Sequence, residues 1–336
     1  MDKTQLYALT GHLDQIASVR RVVYQDGDAA GLCCAQFRNG PLEFDVMLNK
    51  CLDLAQLRYR GINLSFLSQT GVQRGDMCGA MFTAGLDNIH AGRTVDGVFY
   101  PLHGKLRFAP ADDIELSAQF DGNRYILQAS GKVSSALHLD EKLVFHRTIR
   151  TEYGIPSLTI VDKIENCSFK DIPICLLYHC NAGYPLLSPG SRVLFPSKDT
   201  LARDEFSQLD GHRVMDEPKA EAPEQVFQHI CAATPKGETF GAIINDSLEL
   251  ALVLRWNIRE LPLLTQWKSI AAGNYAMALE PCNTGFSGRA EPGEFLSPFE
   301  KKVVTFRIEI AEGKAAISNL FDEYNTLMVK SKFVSK

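Results

Sequence analysis

Two short segments of the chain set a histidine among polar neighbours that could serve catalysis. His103 is followed by Gly104 and, four positions after the histidine, by Arg107. Glycine permits a tight backbone turn and leaves space beside the imidazole for a ligand. A second, apolar run ends in His179, with Asn181 two positions later and on the same face of an extended strand. Because histidine exchanges protons near neutral pH, both segments are candidates for acid/base chemistry.

A third segment, residues 273–283, brings a carboxylate to the end of a strand of small residues. Ala276 and Ala278 share a face with Glu280, so the carboxylate stands beyond two small side chains. Pro281 then interrupts the strand's hydrogen-bond ladder. A carboxylate and a histidine can act together as general base and general acid after modest pKa tuning. The three segments lie far apart in the sequence, so only the fold can bring them together.

The elements that must position these residues are predicted to be β-strands. Alternating apolar residues put three sets of side chains each on one face: Leu143, Phe145 and Ile149; Leu158, Ile160 and Ile164; Val304, Phe306, Ile308 and Ile310. A period of two is typical of half-buried antiparallel strands. Turn-forming residues separate the runs, for example at 121–123, 152–154, 188–191 and 292–294. Many strands with closely spaced turns predict a mainly β sandwich or barrel.

Helical spacing is confined to two segments. The first covers residues 5–16 and is interrupted at Gly11, and the second runs from Ile317 to Leu327. The stretch 204–225 is rich in Asp, Glu, Pro and Gly without periodicity, which predicts a long loop. Because strand patterns on both sides of it are alike, we expect one domain over residues 1–336, with short N- and C-terminal extensions.

Composition places the chain among ordinary globular proteins. It has 336 residues and a formal charge of −5, with 45% hydrophobic and 22% charged residues. The negative charge disfavours nucleic-acid binding, which needs a surface rich in Lys and Arg. The first residues lack the apolar core of a secretory signal, and no run of apolar residues is long enough to span a membrane. Nine scattered cysteines without a CxxC pair suit reduced thiols, so we expect a cytoplasmic protein.

Several short motifs, taken together in their order and spacing, resemble the galactose mutarotase-like superfamily, in its branch of aldose 1-epimerase family proteins. They cover most of the chain, at residues 52–61, 85–88, 103–107, 178–187, 224–227, 261–268 and 279–281. The resemblance implies a β-supersandwich of large antiparallel sheets with a few short helices. It also implies a sugar site in a cleft on one face, and hence an isomerase of carbohydrate metabolism.

Carried over residue by residue, the resemblance implies that Glu280 is the general base and His179 the general acid. It further implies that His103 and Arg107 hold the hydroxyls and the ring of the sugar. Such a site exchanges anomers by opening the ring to an aldehyde, which rotates and closes on its other face. This chemistry needs no cofactor and no metal. The expected partner is a small sugar, with nucleic acid and membrane excluded and a homodimer left open.

Other residues near the motifs could complete the sugar site. The candidates with hydroxyl-pairing groups or an aromatic face are Asn88, Asn181, Trp267 and Lys268. The superfamily also takes an aspartate from the loop before the glutamate, and here three fall in that region: Asp204, Asp210 and Asp216. Arginines on strands are more often surface residues than phosphate ligands, which favours an unphosphorylated aldose.

Other functions remain open at this point. Glu280 with an aspartate of residues 204–216 could form the carboxylate pair of a glycoside hydrolase. A metal-dependent isomerase could use His90, His103, His179 and Glu280, although these lack a compact ligand spacing. An epimerase or isomerase acting at another carbon, or a carbohydrate-binding protein without turnover, would keep the same cleft.

Overall fold

The alternating segments of the sequence form strands in the computed structural model, which describes residues 2–76, 79–136 and 141–334. The strands of the first half are β1 (Ser18–Val23), β2 (Cys33–Arg38), β3 (Leu42–Met47), β4 (Asp53–Tyr59), β5 (Ile62–Asn63), β6 (Met81–Leu86), β7 (Arg93–Val95), β8 (Val98–Tyr100), β9 (Asp112–Asp121), β10 (Arg124–Ala136), β11 (Lys142–Glu152) and β12 (Ser157–Asn166). Those of the second half are β13 (Ile172–Pro173), β14 (Cys175–Ala182), β15 (Arg192–Leu194), β16 (Ser197–Ala202), β17 (Gln225–Cys231), β18 (Glu238–Asn245), β19 (Leu250–Asn257), β20 (Leu263–Ser269), β21 (Ala276–Cys282), β22 (Phe295–Leu296) and β23 (Lys301–Glu312).

Nearly all of these strands belong to two large sheets. The eleven-stranded sheet has the order β1-β2-β3-β4-β6-β14-β21-β20-β17-β16, with β5 paired to β4. The eight-stranded sheet has the order β15-β18-β19-β23-β12-β11-β10-β9. Neighbouring strands in both sheets are antiparallel, and β7-β8 and β13-β22 form two small ribbons. The predicted mainly β architecture of large antiparallel sheets is confirmed.

The main core contains apolar residues of both sheets. In β23, Val304, Phe306, Ile308 and Ile310 are all buried, as the alternation predicts. In β11 and β12 the predicted apolar faces are buried too, but each also carries a charge that the apolar pattern alone does not account for. Arg147 and Asp162 occupy the inward positions between the apolar residues and are fully buried.

The helices agree with the sequence in position, and one differs in length. Helix α1 covers Lys3–Leu9 and is followed by a single 3₁₀ turn at Leu13–Gln15, consistent with the interruption at Gly11. Helix α2 spans Lys314–Val334 and is therefore longer at both ends than the predicted segment from Ile317 to Leu327. The helix continues past Leu327 because no Gly or Pro stops it. Among the described residues, no helix is long and apolar enough to cross a membrane.

Arg147 joins the two sheets through a network of buried hydrogen bonds. On its own sheet, its Nε and Nη2 donate to the two carboxylate oxygens of Asp162 at 2.9 and 2.7 Å. Across the core, Nη1 donates to Oδ1 of Asp53 at 2.8 Å and Nη2 to the hydroxyl of Thr83 at 2.8 Å. The hydroxyl of Tyr178 donates to Asp162 at 2.5 Å. Three strands of one sheet and two of the other therefore share one set of polar contacts.

The charges in this network remain paired although they are buried. Burial alone would lower the pKa of Arg147, but the carboxylates of Asp162 and Asp53 outweigh it and raise the pKa well above its ordinary value. Burial raises the pKa of Asp53 to about 6, against the opposing effects of Arg147 and Thr83. Removing one member would leave the others as uncompensated buried charges.

We predict that Arg147→Met lowers the free energy of unfolding by about 3–5 kcal/mol, the usual cost of breaking a buried ion pair from one side. Arg150→Met is the matched control, since Arg150 lies on the same strand but forms an exposed pair with Asp121 at 3.0 Å. Its loss should cost at most about 1 kcal/mol. Urea unfolding followed by circular dichroism measures both, and equal losses in the two variants would contradict the assigned role.

Candidate active site

A cavity of about 610 Å³ lies against the eleven-stranded sheet. Tyr178, which contacts the eight-stranded sheet, and His179, which lines the cavity, are successive residues of β14. Side chains alternate along a strand, so the cavity is on the face turned away from the eight-stranded sheet. Its volume is within the range of ~300–1,000 Å³ that is usual for small-molecule sites.

Two cross-strand rows of residues build the cavity floor. In the first row, His179 of β14 pairs with Phe82 of β6. On its other side, the pairs Leu177–Cys282 and Cys180–Leu279 set a register that puts Glu280 of β21 opposite His179. The second row runs through Asn181, Ala278, Trp267 and Val226, which pair in that order across four strands. Ala278, which is fully buried, thus lies between Asn181 and Trp267 in this row.

His179 and Glu280 touch at the centre of the floor. Nε2 of His179 lies 2.9 Å from Oε1 of Glu280, and their side chains are 10% and 2% exposed. Nδ1 of His179 is buried without a hydrogen-bond partner among the described residues. The imidazole stacks on Phe82, with 4.3 Å between ring centroids. Phe82 therefore fixes the ring, and Nε2 is the atom that can exchange a proton with Glu280 or a ligand.

His103 enters the cavity from the loop after β8, together with His90 from the loop after β6. Both residues have positive φ angles, +57° and +59°, and the amide of His103 donates to the carbonyl of His90 at 2.8 Å. The imidazole of His103 stands at 90° to that of His179, 5.4 Å away between centroids. The three histidines and Glu280 line the same cavity, although two of them come from loops rather than from the sheet.

Gly104 is needed for a different reason from the one expected. Its φ is +68°, and a Cβ there would lie 2.4 Å from Oδ1 of Asp87, 2.5 Å from the carbonyl of Gly85 and 2.6 Å from that of Asn88. The space beside the glycine is thus filled by the protein and not by a ligand. Its function is to let the loop that carries His103 pack closely on the end of β6.

The two loop histidines are neutral near pH 7. Burial lowers the pKa of His90 to about 4, with Glu280 opposing the shift. Burial, followed by the neighbouring His179 and His90, lowers the pKa of His103 well below its ordinary value. They can therefore exchange hydrogen bonds with a neutral ligand without adding positive charge to the site.

Arg107 does not line the cavity, contrary to the expectation that it holds the sugar. It is in the 3₁₀ turn Leu106–Phe108, where its guanidinium lies 4.4 Å from the centroid of the Phe108 ring. It is 7% exposed, and its Nε and Nη1 have no hydrogen-bond partner among the described residues. Burial lowers its pKa, while Asp76 on the cavity wall is the largest opposing charge.

Two further expected sugar ligands have internal partners instead. The amide nitrogen of Asn88 donates to the carbonyls of Ala91 and Pro101 at 3.0 Å each, which ties the two histidine loops together. Lys268 is buried and donates to the carbonyl of Val214 at 2.7 Å and to Asp216 at 2.8 Å. Because Lys268 follows Trp267 on one strand, the two side chains point to opposite faces. Only Trp267 lines the cavity.

Of the other predicted ligands, Asn181 does line the cavity. Its amide nitrogen donates to the carbonyl of Gly79 at 2.9 Å, which secures the neighbouring loop. Sequence reasoning took His90 only as a metal ligand, and it missed Ser68 and Asp76 on the cavity wall. Each of these three lies in a loop, where spacing carries no information about direction.

None of the three candidate aspartates of residues 204–216 lines the cavity. Asp204 pairs with Arg203 at 2.7 Å, Asp216 pairs with Lys268, and Asp210 is exposed. The loop instead contributes its two ends, Arg203 and Glu224, which sequence reasoning missed. Arg203 directly follows β16 and Glu224 directly precedes β17. This position next to predicted strands could have marked them as candidate site residues.

The geometry of the cavity bears on the metal-dependent isomerase and the glycoside hydrolase considered above. Within residues 2–76, 79–136 and 141–334, no group of three or more His, Cys, Asp or Glu has the arrangement of a metal site. The three aspartates proposed to complete a glycosidase pair with Glu280 are all outside the cavity lining.

The eight cysteines in the described part of the chain are free thiols.

We predict that Gly104→Ala destabilises the protein and displaces His103, because the new Cβ clashes with Asp87 and two carbonyls. Gly97→Ala is the matched control, since Gly97 has a φ of +78° but nothing within 4 Å of its Cβ position. The control should cost only about 1 kcal/mol for its backbone conformation. Thermal unfolding and the imidazole NMR signals of His103 measure the difference, and equal effects would contradict it.

We also predict that His90 and His103 stay neutral between pH 8 and pH 5, with His90 gaining its proton only near pH 4. The unfolded chain binds these protons near pH 6.5. Keeping the two histidines neutral therefore stabilises the folded protein fully above pH 6.5. This contribution to the free energy of unfolding declines as the pH falls towards 4. Imidazole NMR titration of the folded and the urea-unfolded protein tests this. Titration of both histidines near pH 6.5 in the folded protein would show that the assigned burial is wrong.

Proteins of known structure share this fold at low sequence identity. A Klebsiella pneumoniae protein provisionally named an aldose 1-epimerase superposes with a TM-score of 0.87 and 19% identity, over 94% of this chain and 90% of its own. A galactose mutarotase-like protein of Clostridium acetobutylicum gives a TM-score of 0.64 at 13% identity, over 89% and 99%. The galactose 1-epimerase of Lactobacillus acidophilus gives 0.60 at 14%, over 88% and 99%.

These similarities confirm the expected mutarotase-like fold, and at such identities they concern the fold alone. No curated protein matches the sequence. Residues 29–295 match the family model described as "Domain of unknown function (DUF4432)", and the chain therefore belongs to that family.

Proposed function

We propose that this protein is an aldose 1-epimerase that exchanges the anomers of an unphosphorylated sugar by acid/base ring opening. The observation that carries the proposal is the contact of His179 with Glu280, 2.9 Å apart on the floor of the cavity. The fold shared with proteins named aldose 1-epimerase and galactose 1-epimerase supports the same assignment.

The reaction needs a base and an acid close to one carbon atom. The carboxylate of Glu280 removes the proton of the anomeric hydroxyl, and Nε2 of His179 gives a proton to the ring oxygen. The bond between the anomeric carbon and the ring oxygen breaks as the carbonyl double bond forms. After rotation about the next carbon–carbon bond, the ring closes and both protons return to their donors. No proton, electron or atom is gained or lost overall.

The positions of His179 and Glu280 on neighbouring strands suit this reaction. The anomeric hydroxyl oxygen and the ring oxygen are both bonded to the anomeric carbon, so the groups that serve them must be close together. The sheet puts His179 and Glu280 side by side, with Nε2 of His179 2.9 Å from Oε1 of Glu280.

The rest of the cavity offers what a sugar requires. His90 and His103 are neutral hydrogen-bonding groups, since burial lowers the pKa of each. The half-buried indole of Trp267 lies 6.0 Å from the imidazole of His179 and gives an apolar surface for the C–H face of a ring. Asn181 also lines the cavity.

The test is an NMR exchange measurement between α and β anomers over a panel of free sugars. The wild-type protein should accelerate exchange of at least one sugar, and Glu280→Gln should slow the catalysed rate by ~10²–10⁴-fold while sugar binding persists. His146→Gln is the matched control, because His146 is exposed on β11 and outside the cavity.

Each contrary result has a distinct meaning. Anomer exchange that stays equally fast in Glu280→Gln would show that Glu280 is not the general base. Conversion at another carbon without anomer exchange would make the protein a different carbohydrate epimerase. Binding without any conversion would make it a carbohydrate-binding protein.

A further inference from the structure

Lys268 is a buried lysine on the face of β20 turned away from the cavity. Its neighbour Trp267 lines the cavity, and side chains alternate along a strand, so the ammonium group points to the opposite face. The side chain of Lys268 is only 2% exposed. A charge buried in this way is costly unless several partners surround it, yet the proposed anomer exchange gives Lys268 no part.

The described hydrogen-bond partners of Lys268 all lie in the long loop between β16 and β17. Its Nζ donates to the carbonyls of Gly211 and Val214 at 3.1 and 2.7 Å, and to the carboxylate of Asp216 at 2.8 Å. An ammonium group has three hydrogens, so these contacts use its whole donor capacity. The middle of the loop is therefore held against the back of the strand that carries Trp267.

Neighbouring contacts connect the same part of the loop to both sheets. Gln266, on the same face of β20, donates to the carbonyl of His212 at 2.6 Å. On the other side of the loop, the amide of Val193 donates to the carbonyl of Arg213 at 2.8 Å. Val193 belongs to β15 of the eight-stranded sheet. Residues 211–216 are thus hydrogen-bonded to both sheets, and moving them would break bonds on two sides.

The two ends of the loop contribute to one wall of the cavity. Glu224 accepts hydrogen bonds of 2.8 Å from Arg203 and from the indole of Trp267. The side chains of Arg203 and Glu224 are 36% and 50% exposed, and an ion pair so open to water contributes little to holding an element in place. Residues 203–224 form no helix or regular strand. The adjacent strands keep both ends near the sheet, whereas their side-chain contacts depend on where the buried middle of the loop is attached.

We propose that Lys268 is a positioning residue, which fixes the cavity wall of Arg203, Glu224 and Trp267 through residues 211–216. For the sugar that the cavity binds, this role rests on the proposed function. The sequence predicted Lys268 as a sugar ligand. It acts instead from the opposite face of the strand, without touching the sugar.

The first test replaces Lys268 by methionine, an unbranched side chain without charge. In anomer exchange, Lys268→Met should raise KM about tenfold and leave kcat within about twofold, because His179 and Glu280 lie on other strands. Lys302→Met is the matched control, since Lys302 is also largely buried, at 10% exposure, and pairs with Glu294 at 2.5 Å outside the loop. It should leave KM at the wild-type value.

Tryptophan fluorescence tests the same role without any sugar. The chain has two tryptophans, of which Trp256 is 4% exposed and Trp267 is half-buried in the cavity. Quenching by acrylamide therefore reports mainly on Trp267. Lys268→Met should increase the quenching constant about twofold because the wall is loosened, and Lys302→Met should leave it unchanged. Circular dichroism verifies that each variant is folded.

Asp216→Ala provides a second variant if Lys268→Met does not fold. Asp216 is 56% exposed, so its loss removes one partner of Lys268 at little cost in stability. KM and quenching should change in the same direction as in Lys268→Met, by a smaller factor.

Unchanged quenching in the folded variants, a lower kcat at unchanged KM, or equal changes in Lys302→Met would overturn the role of Lys268. If the wild-type protein exchanges no sugar, the epimerase assignment fails, and the quenching measurements still decide whether Lys268 positions the wall.

Discussion

The buried guanidinium of Arg147 is the interaction on which the site's geometry depends. It bonds to Asp162 on its own sheet and to Asp53 and Thr83 on the other, while Tyr178 bonds to Asp162. A charge without access to water must keep all its partners, so the relative position of the two sheets is defined at this point. Apolar contacts elsewhere in the core tolerate small displacements at less cost.

The same strands carry the cavity floor on their other face. Thr83 and Tyr178 point into the core, and their neighbours Phe82 and His179 point into the cavity. Period-two alternation thus connects the ion network to the stacked imidazole through one peptide unit in each strand. The register of β14 and β21 then brings Glu280 opposite His179. A site built on paired strands is held more rigidly than one built on loops.

Loops supply much of the remaining cavity lining. The position of His103 depends on its own positive φ angle and on Gly104. Gly104 has no side chain, which lets the loop contact the end of β6. Arg203 and Glu224 are the two ends of the long loop between β16 and β17. Each is bonded directly to a strand, so both are held next to the sheet. The cavity therefore has a rigid floor of reactive groups and a wall set by separate loops.

Alternation along the sequence was sufficient to predict the strands, the buried faces of β11, β12 and β23, and a long loop after β16. It could not show that Arg147 and Asp162 share those faces as an ion pair, because their burial depends on partners from distant strands. The motifs pointed to His179 and Glu280, but a period of two says only which neighbours share a face. Which face meets the cavity, and hence that Trp267 lines it and Lys268 does not, follows from packing between sheets. Loop residues such as Arg107 and Glu224 have no period at all, so their directions came only from the tertiary structure.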